Sequence, residues 1–550
     1  MKPILIINLK RNGDIFSTGH LITALKEQQP SVEIHLLVYH EFKNAAGCLN
    51  NVKQIHTIDR KKITSLKKNH IFSKSYSLES FYQPIKKIET ISWEKIVVYS
   101  NDRTSAYLAT YISEKAKCEH IGIKFLKSKN VYASSDWAII FNEVINSVPS
   151  APINFVNCQF QSNQLKWKKS NFPKTIVNTG YDKKVHKNID HIRTSQRKFS
   201  DELKFIGIQL KSSSLDKDIP LDVLKDLLLS IYQNPNFFPL LIIAPTKDER
   251  KLVNSLNALF DDSLVTVECD WSSATSLLKN LDLLVTPDTA IKHLADLVNL
   301  PLVELSLKSA PLFKQSSSNV NNLVITESLK WKNSSASTEA CPISSEDIYN
   351  CICYQLENNY SFEGIEFSKN VTVYKVEEDF SGSYLHAIAG DISKLDELNR
   401  IFYREIVFKT LDPSFSINLE KLTNLTTKDD VIHWAKGTKN SISILTKSFI
   451  NTLRNIKGIQ KDTKSYERFI KSLDELFNYC HLDTVISLPS LLLRGRMESL
   501  PDDTFEENIK KIEKLLFLAK AELRIILNSV SELETHILAG SKESKLETIL

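Results

Sequence analysis

The chain has 550 residues, with 70 Lys+Arg against 65 Asp+Glu and a net charge of +5. That length needs more than one core, and that charge is too slight for a dedicated nucleic-acid binder. Apolar residues make up 42% and glycine only 13 positions, no two at G-x-G spacing; this excludes a glycine-rich dinucleotide fingerprint, and no stretch reaches the roughly 18 apolar residues of a membrane span.

Other chemical signatures are missing as well. There is no GxxxxGK[ST] phosphate loop, no G-x-S-x-G, no HExxH and no EF-hand loop. The start, Met1-Lys2-Pro3 followed by Ile4-Leu5-Ile6-Ile7, reads as a first strand, because no small-residue cleavage site follows the apolar run. Eight scattered cysteines suit a reduced, cytoplasmic setting better than a disulfide framework.

In chain order, residues 1–150 alternate. Pro3–Leu9 is a buried strand and Asp14–Gln29 a helix, with Ile15, Leu21, Ile22 and Leu25 near a 3.6-residue period. Val32–Tyr39 is a strand, followed by a short helix near Glu41–Leu49 and a strand Val52–Ile58. Residues 60–92 read as lysine-rich and irregular. Lys95–Tyr99 is a strand, 103–116 a helix and Glu119–Lys124 a strand. Strands alternating with helices imply a parallel, Rossmann-like sheet.

Residues 164–198 hold ten Lys/Arg and two Asp. They read either as a solvated linker or as a basic lip for an anionic substrate or membrane surface. From Phe205 the alternation resumes through LLIIA (240–244), VTVEC, LDLLVT and LVELSL (302–307). Two such units in tandem predict a cleft, with ligands at the carboxyl ends of the strands. After about residue 370 the pattern turns helical. In Phe505–Ile537 the apolar positions advance by alternate steps of four and three. That seam of about 50 Å serves a packed bundle or, alternatively, self-association or a docking partner. The expected organisation is 1–165 (α/β), 166–200 (linker), 201–365 (α/β) and 370–550 (helical bundle).

Four places could carry chemistry. Arg11-Asn12-Gly13-Asp14 lies between the first strand and helix, where Asp14 is either a helix cap or a general base at the cleft. Thr286-Pro287-Asp288-Thr289-Ala290 opens a helix whose first-turn N–H groups and His293 could meet a phosphate, unless this is an ordinary cap. Ser212, Ser213, Ser214 and Lys217 follow a strand and suit a diphosphate, or form a plain polar turn. Glu249 begins another helix and could accept ribose hydroxyls. Cys341, Cys351 and Cys353 are badly spaced for a metal, so buried or idle thiols are expected.

The opening ILIINLKRNGDIFSTGHLITALKEQQPSVEIHLLV resembles the start of the heptosyltransferases, glycosyltransferase family 9. SLLKNLDLLVTPDTAIKHLADLVNLPLVEL resembles that family's second signature. The resemblance covers about residues 1–325. It implies a GT-B fold and an inverting transfer from a nucleotide-sugar, typically ADP-heptose, with no metal or other cofactor. By position it makes Asp14 the base, with Arg11 and Asn12 beside the acceptor. Ser212, Ser213, Ser214, Lys217, Glu249, Asp288, Thr289, Ala290 and His293 would hold the donor. Ala290 stands where many members have glycine, and Leu307-Lys308 replaces a common Gly-Pro.

The expected acceptor is an anionic cell-envelope glycolipid of lipopolysaccharide synthesis, met by a cytoplasmic enzyme at the inner membrane surface. A protein acceptor is one alternative. The other is a non-catalytic scaffold with a helical interaction module.

Overall fold

The computed structural model describes residues 2–68, 73–125, 132–167, 176, 179–196, 202–261, 263–332, 341–459, 463–501 and 503–547. These form two compact units: residues 1–120 with 163–392, and residues 121–162 with 393–550.

The first unit contains two α/β sheets in tandem. Strands β1 (Ile4–Ile7), β2 (Ile34–Tyr39), β3 (Val52–Ile58), β4 (Lys95–Val98) and β5 (Glu119–Ile121) make one sheet, in the order β3-β2-β1-β4-β5. The pairs β3/β2, β2/β1 and β1/β4 run parallel. Every residue of β1 is buried, which is why it reads as a continuous apolar run rather than an alternating one. The expected strand Glu119–Lys124 divides after Ile121: β6 (Ile123–Lys124) leaves to pair antiparallel with β7 (Tyr132–Ala133).

The second sheet comprises β8 (Lys204–Gln209), β9 (Phe237–Ile243), β10 (Thr266–Glu268), β11 (Leu283–Pro287), β12 (Leu302–Ser306), β13 (Leu323–Glu327), β14 (Val371–Asp379) and β15 (Gly382–Gly390). Its order is β10-β9-β8-β11-β12-β13-β14-β15. The strands through β13 are parallel, and β14 and β15 add an antiparallel edge. Residues 371–390 therefore belong to this sheet rather than to the helical block. Val371 and Val373 pack into the core and Thr372, Tyr374 and Val376 on the opposite face are buried too, a strand hidden behind the charged run that follows.

Two further expectations change. Residues 60–92 are not irregular: Arg60–Lys68 and Ser73–Glu89 are helices, because lysine propagates helix well and Ile63, Leu66, Ile85 and Ile88 turn inward. The basic stretch is not all linker, since Thr179–Gln196 is a helix and His186 Nδ1 lies 3.1 Å from Asn280 Oδ1. Its residues 168–175, 177–178 and 197–200 lie outside the described residues.

The second unit takes in 121–162, which the reading by periodicity places with the first sheet. Polar contacts of high sequence separation hold it there. Arg496 forks onto Asp136 with two contacts of 2.9 Å, Arg494 meets Glu143 at 2.5 Å, and the Ser150 hydroxyl donates to Asp483 at 2.6 Å. Gly495 admits Ile139 so closely that an added Cβ would stand 2.5 Å from its Cγ2. The predicted heptad helix runs Phe505–Glu547. From Leu516 its seam (Ala519, Leu523, Ile526, Val530 and Leu533) is buried within this unit, so bundle packing rather than self-association uses it. The helices Lys428–Gly458 and Ser487–Glu498 supply the facing surfaces. Among the described residues no helix is long and apolar enough to cross a membrane.

Candidate functional site

Each sheet reverses its strand order once, between β1 and β4 and between β8 and β11. In an open parallel sheet the loops diverge at such a point, leaving a crevice at the carboxyl ends of the strands. Asp14 follows β1, Ser212–Lys217 follow β8, and Asp288 follows β11. Three of the four predicted clusters thus sit at these crevices for a topological reason.

The Asp14 end is built from β1. Asn8, fully buried, donates from Nδ2 to the Asp14 carbonyl and to the Thr18 hydroxyl, both at 2.8 Å. This fixes the first turn of the helix Asn12–Gln28. The Arg11 N–H donates to Asp14 Oδ2 at 3.3 Å, so the carboxylate does cap its helix. Capping leaves Oδ1 to a second partner, Gln315, whose Nε2 lies 3.4 Å away. Burial raises the Asp14 pKa, opposed by the Arg11 N–H and by the charges of Lys10 and Arg11. The group is therefore a carboxylate of increased basicity in a cationic setting, which is what a base for a hydroxyl requires.

Gly13 is where the two α/β halves touch. A Cβ there would lie 2.9 Å from His293 Cδ2 and 3.6 Å from Ala290 Cα. The start of the first helix thus abuts the start of the helix Ala290–Val298. This explains a glycine at position 13 in a chain that has so few. His293 is half-buried here, and desolvation, then the charge of Lys292, pushes its pKa down to about 3. It is a neutral imidazole that can donate one hydrogen bond, rather than a cation. His20 lies beside it, also neutral, lowered by burial to about 4.

Asp288 is held by two lysines. Lys217 Nζ meets Oδ2 at 2.9 Å and Lys292 Nζ meets Oδ1 at 2.7 Å. Burial alone would raise its pKa, but the Lys292 and Lys217 ammonium groups outweigh that and hold the carboxyl well below its usual range. Lys292 is wholly buried and also reaches Glu304 Oε1 at 2.8 Å and the Gln315 carbonyl at 2.9 Å. Burial opposes its charge, yet Asp288 and Glu304 more than offset this and keep it protonated. A carboxylate cannot donate to a phosphate, so the anion-binding capacity here lies in Lys217 and in the first-turn N–H groups after Thr289. The Thr289 hydroxyl is 3.1 Å from that of Thr286.

The serine loop is already internally bonded. Ser212 Oγ donates to the Ser214 carbonyl at 2.6 Å, and the Ser212 N–H donates to Asp218 at 2.6 Å. Asp216 accepts from the hydroxyls of Ser214 and Ser309, which hold its pKa down. Ser213 is exposed. The Ser309 contact ties this loop to the segment after β12, where Lys308 adopts a left-handed φ of 41°. Glu327 holds Lys308 in that conformation by accepting from its backbone N–H at 3.1 Å and facing its ammonium at 3.2 Å. Glu249 accepts from the Ala244 N–H at 2.9 Å, and burial raises its pKa. Ala244 ends the apolar run of β9, so Glu249 too stands at a carboxyl end of the second sheet.

Lys292, Glu304 and Gln315 escape a reading by motif. One signal for Lys292 exists: Asp288, Lys292 and Asp296 recur every fourth residue and so share a helix face. Nothing local says that this face is buried. Cys351 and Cys353 are buried and Cys341 partly so, all with free thiols, and no metal-holding group occurs among the described residues.

Residues 162–341 match the sequence model of glycosyltransferase family 9 (heptosyltransferase). No curated protein matches the chain. Among solved structures, a glycosyl transferase family 9 protein from Veillonella parvula is 11% identical, covering 64% of this chain and 97% of its own, with a TM-score of 0.46. The E. coli ADP-heptose lipopolysaccharide heptosyltransferase II is 14% identical, covering 66% and 100%, with a TM-score of 0.43. E. coli heptosyltransferase WaaC with ADP is 13% identical, covering 64% and 99%, with a TM-score of 0.45.

Proposed function

We propose, for a chain whose residues 162–341 match the glycosyltransferase family 9 model, that it transfers a sugar from a nucleotide-sugar to an acceptor hydroxyl with inversion, Asp14 acting as base. The observation that carries this reading is the apposition of two helix starts at Gly13 and His293. It sets a carboxylate of raised pKa beside the start of a second helix, which follows the Asp288 that holds Lys217.

Asp14 takes the acceptor proton as the oxygen attacks the anomeric carbon. The bond from that carbon to the diphosphate breaks, and its electron pair leaves with the nucleotide. Lys217, the first-turn N–H groups after Thr289 and the neutral His293 N–H stabilise the departing charge, which is larger in the transition state than in the bound donor. Lys217 must exchange Asp288 for phosphate when the donor arrives, and Lys292 keeps Asp288 neutralised meanwhile. Ser213 and Ser214 complete the diphosphate site, and Glu249 receives the ribose. Arg11 and Asn12 face the acceptor. Heptose from ADP-heptose is the first donor to try, on the strength of the family's name, with an anionic cell-envelope glycan as acceptor.

The test is Asp14→Asn. Turnover should fall by about 10²–10⁴-fold, the usual worth of a general base, while calorimetric affinity for ADP stays within about threefold. Undiminished turnover by this variant would remove Asp14 from the mechanism. An intact protein that binds neither ADP nor any nucleotide-sugar would remove the transferase reading.

A further inference from the structure

The buried polar groups around Asp14 and those around Asp288 meet at one residue. Gln315 ends the short helix Leu312–Gln315, which follows β12. Its side-chain amide reaches Asp14 Oδ1 at 3.4 Å, and its main-chain carbonyl accepts from Lys292 Nζ at 2.9 Å. Lys292 in turn grips Asp288, and Asp288 grips Lys217. An unbroken run of contacts therefore joins Asp14 to Lys217 through Gln315, Lys292 and Asp288.

The chemistry of the run is directional. The carbonyl of Gln315 accepts from Lys292, a wholly buried ammonium group. Its position is therefore fixed by the same charge that fixes Asp288. The amide at the far end of the same residue can present only N–H to an ionised carboxylate, because an amide oxygen facing it would repel. The neighbouring Lys314 is pulled in the same direction: burial, then the like charge of Lys10, lowers its pKa, and Asp14 opposes this. The short helix thus brings two groups from the second sheet's side to the carboxylate on the first.

We infer that Gln315 is a positioning residue that sets the orientation and ionisation of Asp14 and couples both to the lysines around Asp288. The inference rests on Asp14 being the base and adds the element that ties the base to the donor side. Its consequence is that occupation of Lys217 by a diphosphate is felt at Asp14 through a chain of charge-assisted bonds rather than through the solvent of the crevice.

The experiment uses the full-length protein and the variants Gln315→Ala and Gln315→Glu. The ionisation of Asp14 is followed by carboxyl-carbon NMR on protein labelled at aspartate, with the signal assigned by its loss in Asp14→Asn. Removing a donor to the charged form raises the pKa, so Gln315→Ala should move the Asp14 midpoint up by about half to one unit. Gln315→Glu, which adds a like charge, should move it further. The acid limb of the pH profile for transfer should move with it, and kcat should fall about three- to tenfold at pH values below the limb, with KM for the donor unchanged. Addition of ADP should shift the Asp14 midpoint in the parent and not in Gln315→Ala. A merely structural role would lower the melting temperature and leave the Asp14 midpoint in place, and that result overturns the inference. An Asp14 midpoint unmoved by ADP in the parent overturns the coupling. Loss of transfer in Asp14→Asn with no effect of the Gln315 variants on either measure sinks this inference alone. Full transfer by Asp14→Asn sinks the transferase mechanism, and the NMR midpoints then still report whether Gln315 governs Asp14.

Discussion

Both compact units bury charged side chains, and they do so to different ends. In the helical unit Arg496 is met on one side by the Asp136 fork and on the other by Glu522 at 2.6 Å. Arg400 lies 2.7 Å from Glu397, both buried. These groups close on each other, and the Arg496 fork ties 121–162 to residues far along the chain. In the α/β unit the buried Lys292 leads outward instead, through Asp288 to Lys217 and through Gln315 to Asp14, at the crevice. A buried ion pair seldom adds net stability over an apolar pair of the same shape, so its presence asks for a reason. In one unit the contacts fix which segments pair. In the other they hold polar groups where a charged ligand can exploit them.

The strongest way to break this comparison is to remove one cation from each unit. Lys292→Met leaves Glu304 without its cation and Asp288 with Lys217 alone, and Arg496→Met leaves Asp136 and Glu522 without their shared cation. Each should cost about 3–5 kcal/mol of the stability of its own unit, read by calorimetric unfolding. The expected difference lies in binding: Lys292→Met should weaken ADP at least tenfold, and Arg496→Met should leave ADP affinity unchanged. Equal loss of ADP affinity in both would erase the distinction drawn between the units.

A second pair sharpens it. Gly13→Ala and Gly495→Ala each place a methyl group into a close approach, 2.9 Å from His293 Cδ2 and 2.5 Å from Ile139 Cγ2. Overpacking of this kind costs about 1–3 kcal/mol. Gly495→Ala should spend all of it on the stability of the helical unit. Gly13→Ala should also displace His293, lowering transfer activity well beyond its effect on melting. Activity that tracks melting in both variants would count against a functional contact at Gly13.

The smallest effect is in pH. His20 and His293 have folded pKa values of about 4 and about 3, below the unfolded 6.5. The unfolded chain therefore binds more protons between these values. The stability these histidines confer is full above pH 6.5 and is lost as pH falls toward 4, roughly 1–2 kcal/mol each by pH 5. Glu522 has the opposite sign: burial, against the pull of Arg496, raises it to about 7, so its contribution is full below pH 4.5 and is lost as pH rises through 7. Denaturation at pH 7 and pH 5 should weaken the α/β unit and favour the helical one. His20→Asn should remove part of the α/β unit's acid sensitivity, which it shares with His293 and with His56, also lowered to about 4 by burial, and an unchanged slope would reassign it to other groups.

Much of the fold was legible because parallel sheets advertise themselves. β1, β8 and β11 are buried on both faces and appear as largely apolar runs, and Leu516–Ile537 shows its seam by spacing alone. Asp14, Lys217 and Asp288 could be picked out because each follows such a run closely. The helices at 60–89 were missed because their inward residues are outnumbered by charged neighbours, and the β14/β15 edge because a charged run ends β14. A reading by texture weighs the majority.

Length, periodicity and the ends of strands determined the two sheets, the helical tail and the loops proposed to carry the chemistry, since those depend on residues close together in the chain. Tertiary structure alone decided that Ile121–Ser162 joins residues 393–550, that Gly13 meets His293, and that Lys292 is buried between Asp288 and Glu304. Each of these joins groups separated by tens to hundreds of residues, or turns on whether a helix face meets water or another helix. Spacing within a segment fixes which side chains share a face; what that face touches is set by the packing of the whole unit.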